Sequence, residues 1–152
     1  MKRYVLLLVA LATAFDMFAG TPAEALVDEY KEVKGARNLI AKGAMMNMAR
    51  PLLKKYSIAP LAHKVEEMSV LRMDKVSPDL KEKFLSDLQN MLGQYLYAGQ
   101  SDTNNGVVDA YVHLVSTEAA DELVVYNPAI YALYSLTGDF SAEELKKIQK
   151  KP

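Results

Sequence analysis

The longest hydrophobic pattern in the chain has the period of an amphipathic helix. From position 80 to position 95, apolar residues return every three or four positions, which is typical of a helix with one buried face. The stripe consists of Leu80, Phe84, Leu85, Leu88, Met91, Leu92 and Tyr95. Ser77 is a favourable N-cap residue, and Pro78 suits the first helical position. The pattern predicts a long helix over 78–97 that packs on one face of a sheet.

A second pattern, with a period of two, follows this helix. Apolar and polar residues alternate at 107–115, 122–126 and 129–136, which predicts three β-strands. The last two are joined at Asn127-Pro128, and consecutive strands with short connections pair antiparallel. The polar stretch at 98–106 before these strands is predicted to be a loop.

Shorter elements are predicted on either side of these two regions. They are helices at 26–34, 44–56 and 61–67, strands at 36–42 and 68–74, and a final helix after Ser141. Pro51 must kink or divide the helix at 44–56, because proline removes a backbone donor. Ser141 and Glu144 have the spacing of a capping box. Together the elements predict one α+β domain at 26–152, with a mostly antiparallel sheet of about five strands and the long helix packed on one face.

The first 25 residues have the pattern of a secretory signal peptide. Lys2 and Arg3 precede a short apolar core at 4–15, and Ala23 and Ala25 supply the small residues of a cleavage site. The apolar run is too short for a stable membrane span. We therefore predict a signal peptide at 1–25, a mature chain without a membrane span, and a periplasmic or secreted location.

Composition excludes several classes of function. The chain has 152 residues with no cysteine, so neither disulfides nor thiol chemistry are available. Hydrophobic residues make up 51% and charged residues 24%, which are values of a globular domain. The formal net charge of −1 gives no basic field for nucleic acid, which is not expected as a partner.

The alternation also predicts which side chains share a face of the three-stranded unit. We predict a register that pairs Val115 with Glu122 and Tyr111 with Tyr126, because it collects the apolar residues on one face. The opposite face then carries Asp109, Tyr111, His113, Glu122, Tyr126, Tyr131 and Ser135, with Val124 and Leu133 between them. Tyrosine suits binding surfaces, since its ring contributes contact area at low entropy cost. This face is a candidate binding surface unless another segment, such as that at 61–67, covers it.

His113 is the one candidate on this face for acid–base chemistry. With Glu122 or Asp109 as a partner it could act as a general base, since such pairs tune an imidazole toward neutral pH. The other interpretation is a solvated residue on the outer face of an antiparallel sheet. No serine elbow or glycine-rich turn lies near His113 in the sequence, so the solvated interpretation is preferred.

The run "GAMMNMA" holds the three methionines Met45, Met46 and Met48. Thioethers are suitable ligands for Cu(I), so the segment is a candidate copper site. Methionine also fills gaps in cores, and Met45 and Met48 fall on the buried stripe predicted for the helix at 44–56. Core packing is the preferred interpretation, and no metal or cofactor is predicted.

Three segments of the chain also share a combined pattern with known proteins. They are "EYKEVKGARNLIAKGAMMNMA", "MSVLRM" before the long helix, and "DELVVYNPAIYALYSLTGDFSAEELKKI". In this order they resemble a family of small exported Bacteroidetes proteins, the domain of unknown function DUF4252, over 26–150. The chain departs from the family pattern at "NLIAKG", where a β-branched strand and a serine before the lysine are expected. The resemblance implies a signal peptide and an α+β fold, but no agreed activity and no catalytic residues.

These observations favour a non-enzymatic binding or interaction protein of the periplasm or cell envelope. Its partner would be an unknown protein or small ligand. The candidate binding residues are Tyr111, His113, Glu122, Tyr126 and Tyr131. Two alternatives stay open: an enzyme that uses His113 with Glu122 or Asp109, and a copper-binding protein that uses the methionine segment.

Overall fold

A single antiparallel sheet of six strands forms the centre of the molecule. The computed structural model describes residues 20–103, 106–116 and 119–149. The strands are β1 (Arg37–Lys42), β2 (Val65–Arg72), β3 (Leu96–Thr103), β4 (Gly106–Ser116), β5 (Ala119–Asn127) and β6 (Ala132–Ser141). Their order across the sheet is β1-β2-β6-β5-β4-β3, and every neighbouring pair is antiparallel. Most of the predicted signal peptide, residues 1–19, lies outside the described residues.

Helices and 3-10 segments complete the fold. The α-helices are α1 (Pro22–Tyr30), α2 (Met46–Ala49), α3 (Pro78–Leu92) and α4 (Ala142–Gln149), and the 3-10 segments are Gly43–Met45, Arg50–Leu53 and Ala59–Lys64. The predicted α+β class with an antiparallel sheet is confirmed. The sheet has six strands rather than about five, and the predicted long helix has 15 residues. None of the helices in the described part of the chain has the length and apolar character needed to cross a membrane.

Both faces of the sheet are covered, and each covering forms its own hydrophobic cluster. On one side, here called the α3 face, α1 and α3 pack on Val124, Tyr126 and Leu133. On the other side, here called the α4 face, α2, α4 and 3-10 residues pack on Val112 and Leu123. The long helix does cover one face of the sheet, but it covers the face that carries the tyrosines.

The pairing of β4 with β5 has the predicted faces but not the predicted register. His113 lies opposite Glu122, and Tyr111 lies opposite Val124 rather than Tyr126. The predicted register is therefore wrong by two residues: the ladder continues to the pair Ser116–Ala119, beyond its predicted end at Val115 and Glu122. Side chains still share faces as predicted, because a shift of two residues preserves the alternation.

The chain after α3 differs from the prediction. The helix ends at Leu92, where the N–H of Gly93 donates to the carbonyl of Gln89 at 3.2 Å. β3 then runs through most of the segment that was predicted as a loop. Its polar residues suit an edge strand, where side chains meet solvent. Gly99, with φ of 140°, lies at a bulge that displaces the ladder beside Tyr97.

The first helix begins earlier than predicted, inside the expected cleavage motif. Thr21 is the N-cap, Pro22 is at the first helical position, and Thr21 forms a capping box with Glu24. Ala23 in the first turn is completely buried. The residues that resemble a cleavage site therefore form a capped and packed helix start.

The methionine segment has a different helical phase from the one predicted. Met46 is completely buried, whereas Met45 and Met48 are 58% and 81% exposed. The predicted burial of Met45 and Met48 is wrong, because the segment at 44–56 alternates between 3-10 and α geometry and keeps no single period. Pro51 lies at the start of the second 3-10 segment, so the predicted division is confirmed.

The final helix has the predicted start. The N–H of Ser141 donates to Glu144 Oε1 at 2.9 Å, and the N–H of Glu144 donates back to the Ser141 hydroxyl at 3.3 Å. Phe140 and Leu145 are both buried in the cluster of the α4 face, as a hydrophobic staple requires. This capping box was readable from the sequence because all of its contacts are local.

Candidate functional site

The most unusual polar group in the described chain is a carboxylate inside the α3 face. Glu122 on β5 is completely buried. The hydroxyl of Thr21, the N-cap of α1, donates to its Oε2 at 2.8 Å. Ser135 on β6 donates to the same oxygen, and the Tyr95 hydroxyl donates to Oε1. Three elements far apart in the sequence thus meet at one side chain.

This arrangement makes Glu122 a satisfied buried acid. Burial raises the pKa of its carboxyl above the ordinary value, and the three hydroxyl donors offset part of that rise. Burial and the neighbouring carboxylate of Glu122 raise the pKa of Tyr95, so its hydroxyl stays protonated and available as a donor. The Tyr95 oxygen also accepts from the N–H of Ala23 at 3.0 Å. The cluster therefore ties the start of α1 to the middle of the sheet.

His113 has a different partner from those predicted. Its Nδ1 lies 2.8 Å from Oδ1 of Asp121, although Glu122 is its cross-strand neighbour. The centre of the Tyr95 ring lies 5.2 Å from the centre of the imidazole ring. Asp109, the other predicted partner, accepts a hydrogen bond from the Tyr97 hydroxyl at 3.2 Å. The predicted hydrogen bonds from His113 to Glu122 or Asp109 are thus replaced by one to Asp121.

The three predicted tyrosines lie together but are not equally accessible. Tyr111, Tyr126 and Tyr131 all pack on the cluster of the α3 face, as the alternation predicted. Tyr126 is only 9% exposed, while Tyr111 and Tyr131 are half-buried. The covering elements are α1 and α3, whereas Leu61 from the suspected covering segment packs on the opposite face. The α3 face, which carries these tyrosines, is therefore largely covered by helices.

Tyr126 also has an unsatisfied polar group. Its hydroxyl is buried and finds no hydrogen-bond partner among the described residues. Burial raises the pKa of Tyr126 to about 12. A buried hydroxyl without a partner costs free energy of folding, so the ring rather than the hydroxyl stabilises this position.

Tyr131 lies in the turn between β5 and β6 with a left-handed backbone. Its φ is 50°, which is uncommon for a residue other than glycine. The side chain of Asn127 accepts from the N–H of Ala129 at 3.1 Å, and the Tyr131 carbonyl accepts from the N–H of Met73 at 2.9 Å. The ammonium of Lys81 lies 4.9 Å from the centre of the Tyr131 ring. These contacts hold Tyr131 against α3 rather than presenting it to a partner.

The accessible aromatic surface lies at the β3 edge of the sheet. Tyr97 on β3 is 51% exposed and makes an edge-to-face contact with Tyr111, with ring centres 5.5 Å apart. We call Tyr97 and Tyr111 the aromatic edge. The exposed apolar residues of β3 and β4 are Leu96, Val107, Leu114 and Val115. Sequence reasoning missed Tyr97 because it placed that residue in the long helix; the alternation of "YLYA" was the available signal.

Two clefts border α1. The larger, of about 680 Å³, lies between α1 and α3. The smaller, of about 200 Å³, lies between α1 and the strands β1, β2 and β6, and Ser135 at its floor also contacts Glu122. Its polar lining includes Glu24, Asp28, Lys31, Asn38, Glu67 and Ser69. His113 lines neither cleft.

The described residues offer little support for metal binding. They contain no group of three or more histidine, cysteine, aspartate or glutamate side chains that could hold an ion. In the methionine segment, the buried Met46 leaves Met45 and Met48 as the two exposed thioethers. A surface copper site would need a further ligand from elsewhere.

Comparison with known protein families, characterised proteins and solved structures gives no match to this chain. The resemblance to DUF4252 therefore stays a prediction.

Proposed function

We propose that the protein is a non-enzymatic interaction protein of the periplasm or cell envelope and that it contacts its partner through the aromatic edge. The observation that carries the proposal is the pairing of the exposed Tyr97 with the half-buried Tyr111 at an open end of the sheet. Tyrosine pairs of this kind provide rigid contact area with a polar rim, which favours binding of a protein or small ligand.

The other predicted binding residues on the α3 face do not belong to the proposed contact surface, because they are packed against helices. Tyr126 is packed beneath α1 and α3, and Glu122 is held by its three hydroxyl donors. A partner that approached these two residues would have to displace a helix. Of the five predicted binding residues, we keep Tyr111 and His113 in the proposed contact surface. Tyr97, which was not predicted, is added to them.

Export is part of the same proposal and rests on the sequence. The charged start and the apolar core support a signal peptide, and the resemblance to DUF4252 agrees with it. N-terminal sequencing of the protein from its native envelope fraction should show that at least residues 1–19 are absent. An intact Met1 would contradict export.

A photocrosslinking experiment tests the aromatic edge. A photoreactive phenylalanine analogue at position 97 should give one dominant adduct in envelope extract, whereas the same analogue at the exposed Asp79 of α3 should not. Tyr111→Ser should then reduce the yield of that adduct, because it removes half of the ring pair. Equal adducts from positions 97 and 79 would contradict the proposal.

The enzyme alternative is kept by one observation, the 2.8 Å contact between His113 and Asp121. An aspartate can fix the tautomer and the orientation of a histidine ring. Wild-type protein and the His113→Gln variant should be compared on chromogenic esters, phosphates and glycosides. Turnover by the wild type that is lost in the folded variant would favour the enzyme over the interaction protein.

A further inference from the structure

The strand β1 forms an open edge of the sheet at the end opposite to the aromatic edge. Within the described part of the chain it pairs only with β2, in an uninterrupted register from Arg37–Arg72 to Lys42–Glu67. Natural edge strands are usually protected by proline, by a bulge, by a cover or by charged side chains such as lysine. The other edge has such a bulge beside Gly99, whereas β1 contains neither a bulge nor a proline.

The charged residues of β1, Arg37 and Lys42, lie at its two ends, and its middle is apolar. Leu39 and Ile40 are 72% and 49% exposed. On the α4 face, the segment that follows β1 adds the exposed Met48 and Leu52, and α2 packs against β1 and β2. The open edge is therefore continuous with exposed apolar residues in the neighbouring layer.

On the α3 face, the same edge opens onto the smaller cleft. Asn38 and Ile40 of β1 form part of its lining. Three carboxylates line it against one ammonium, since Glu24, Asp28 and Glu67 oppose Lys31. Lys31 is already bound to Asp28 at 2.8 Å. The cleft thus has room and excess negative charge for a cationic side chain that enters across β1.

We propose that β1 pairs antiparallel with β1 of a second copy of this chain, in a two-fold dimer with one continuous sheet. The two-fold axis must be perpendicular to the sheet, so each face of one copy continues into the same face of the other. Directly opposed residues must then lie on the same face. This condition excludes the register that would oppose Arg37 to Lys42, because these residues lie on different faces.

The register with Ile40 on the axis fits the observed charges. It opposes Ile40 to its own copy, Leu39 to the partner's Ala41, and Asn38 to the partner's Lys42. Because Asn38 lines the acidic cleft, each Lys42 reaches the cleft of the other copy. Lys42 lies opposite Glu67 in the ladder of its own copy, but among the described residues no carboxylate oxygen lies within 4.0 Å of its ammonium, so the interface need not break a salt bridge of this lysine.

The dimer places the two aromatic edges at the outer ends of the assembly. Six strands at about 4.8 Å spacing put roughly 25 Å between β1 and β3. A dimer of this kind presents two aromatic edges roughly 50 Å apart, at the far ends of a twelve-stranded sheet. The pairing of β1 does not depend on what the aromatic edge binds.

A cysteine scan tests the register, because the chain contains no native cysteine. Under mild oxidation, Ile40→Cys should give a disulfide-linked dimer, since position 40 opposes itself across the axis. Leu39→Cys should link poorly, because two copies of position 39 lie beyond the Cα separation of roughly 7 Å that a disulfide spans. Asp79→Cys on α3 measures random collision. Equal linking at all three positions, or none at position 40, would overturn the proposal.

Light scattering and analytical ultracentrifugation test whether the dimer forms and whether the charges of Lys42 and Asp28 stabilise it. The wild type should show a dimer mass that dissociates on dilution. Lys42→Glu and Asp28→Lys should each weaken the dimer by about tenfold, and their combination should restore most of the affinity. Circular dichroism verifies that each variant is folded. A wild type that is monomeric at every concentration, or a combined variant no better than either single one, would overturn the proposal.

Discussion

The hydroxyl of Thr21 donates a hydrogen bond to the buried carboxylate of Glu122, 101 positions further along the chain. Thr21 is also the N-cap of α1, whose side chain accepts from the N–H of Glu24. One residue therefore both starts the helix and satisfies an acid in the core. This pair joins the start of α1 to the sheet, beside the buried apolar residues of the same helix.

We predict that removal of the first turn of α1 destabilises the fold. A chain that begins at Leu26 loses the N-cap, worth about 1 kcal/mol, and a hydrogen bond to a carboxylate, worth about 1.5–3 kcal/mol. A chain that begins at Gly20 keeps both. Urea denaturation of the two should show a lower free energy of unfolding for the shorter one. Thr21→Val in the longer chain should reproduce much of the loss, and equal midpoints would contradict the role of Thr21.

Glu122→Gln should change how stability depends on pH. The pKa of Glu122 is raised in the folded state, so the folded chain binds this proton at higher pH than the unfolded chain does. The contribution of the group to stability is full below about pH 4.3, the ordinary glutamate value, and is lost as the pH rises through the raised pKa. The wild type should therefore lose stability relative to the variant as the pH increases through this window. Parallel stability curves from denaturant melts would show that the group does not titrate in this way.

Two tyrosine-to-phenylalanine substitutions form a matched pair. Tyr95→Phe removes the donor to Glu122 and the acceptor for the N–H of Ala23, so it should cost about 1–3 kcal/mol. Tyr126→Phe removes a buried hydroxyl that has no partner among the described residues, so it should be neutral or stabilising. Thermal and denaturant melts measure both changes. A larger loss for Tyr126→Phe than for Tyr95→Phe would contradict the hydrogen-bond assignments.

The phase of α3 is tested by substitution on its two sides. Leu88 is 2% exposed in the cluster of the α3 face, so Leu88→Ala should cost roughly 2–5 kcal/mol. Glu82→Ala, at an exposed position of the same helix, should change the free energy of unfolding by less than about 0.5 kcal/mol. Equal effects in denaturant melts would mean that the helix packs through another face.

Local patterns were sufficient for much of the fold. The stripe of α3, the Ser141–Glu144 capping box and the alternation of β4 and β5 all depend on neighbours within a few residues. Such patterns give the type of an element and the face that each side chain occupies. They do not give the register of a hairpin, because a shift of two residues leaves the faces unchanged.

The tertiary structure decided which face is covered and by what. Nothing near Glu122 in the sequence shows that Thr21, Tyr95 and Ser135 will surround it, since these residues lie at the start of α1, in the connection between α3 and β3, and in β6. Both faces of the sheet carry enough apolar area to bind helices, so the periodicity of one strand could not show which would stay open. Periodicity in the sequence was sufficient for α3 and for the faces of β4 and β5, because these depend on near neighbours. Long-range packing made the α3 face part of the core, formed β3 from a polar segment and left Tyr97 exposed beside Tyr111 at the edge.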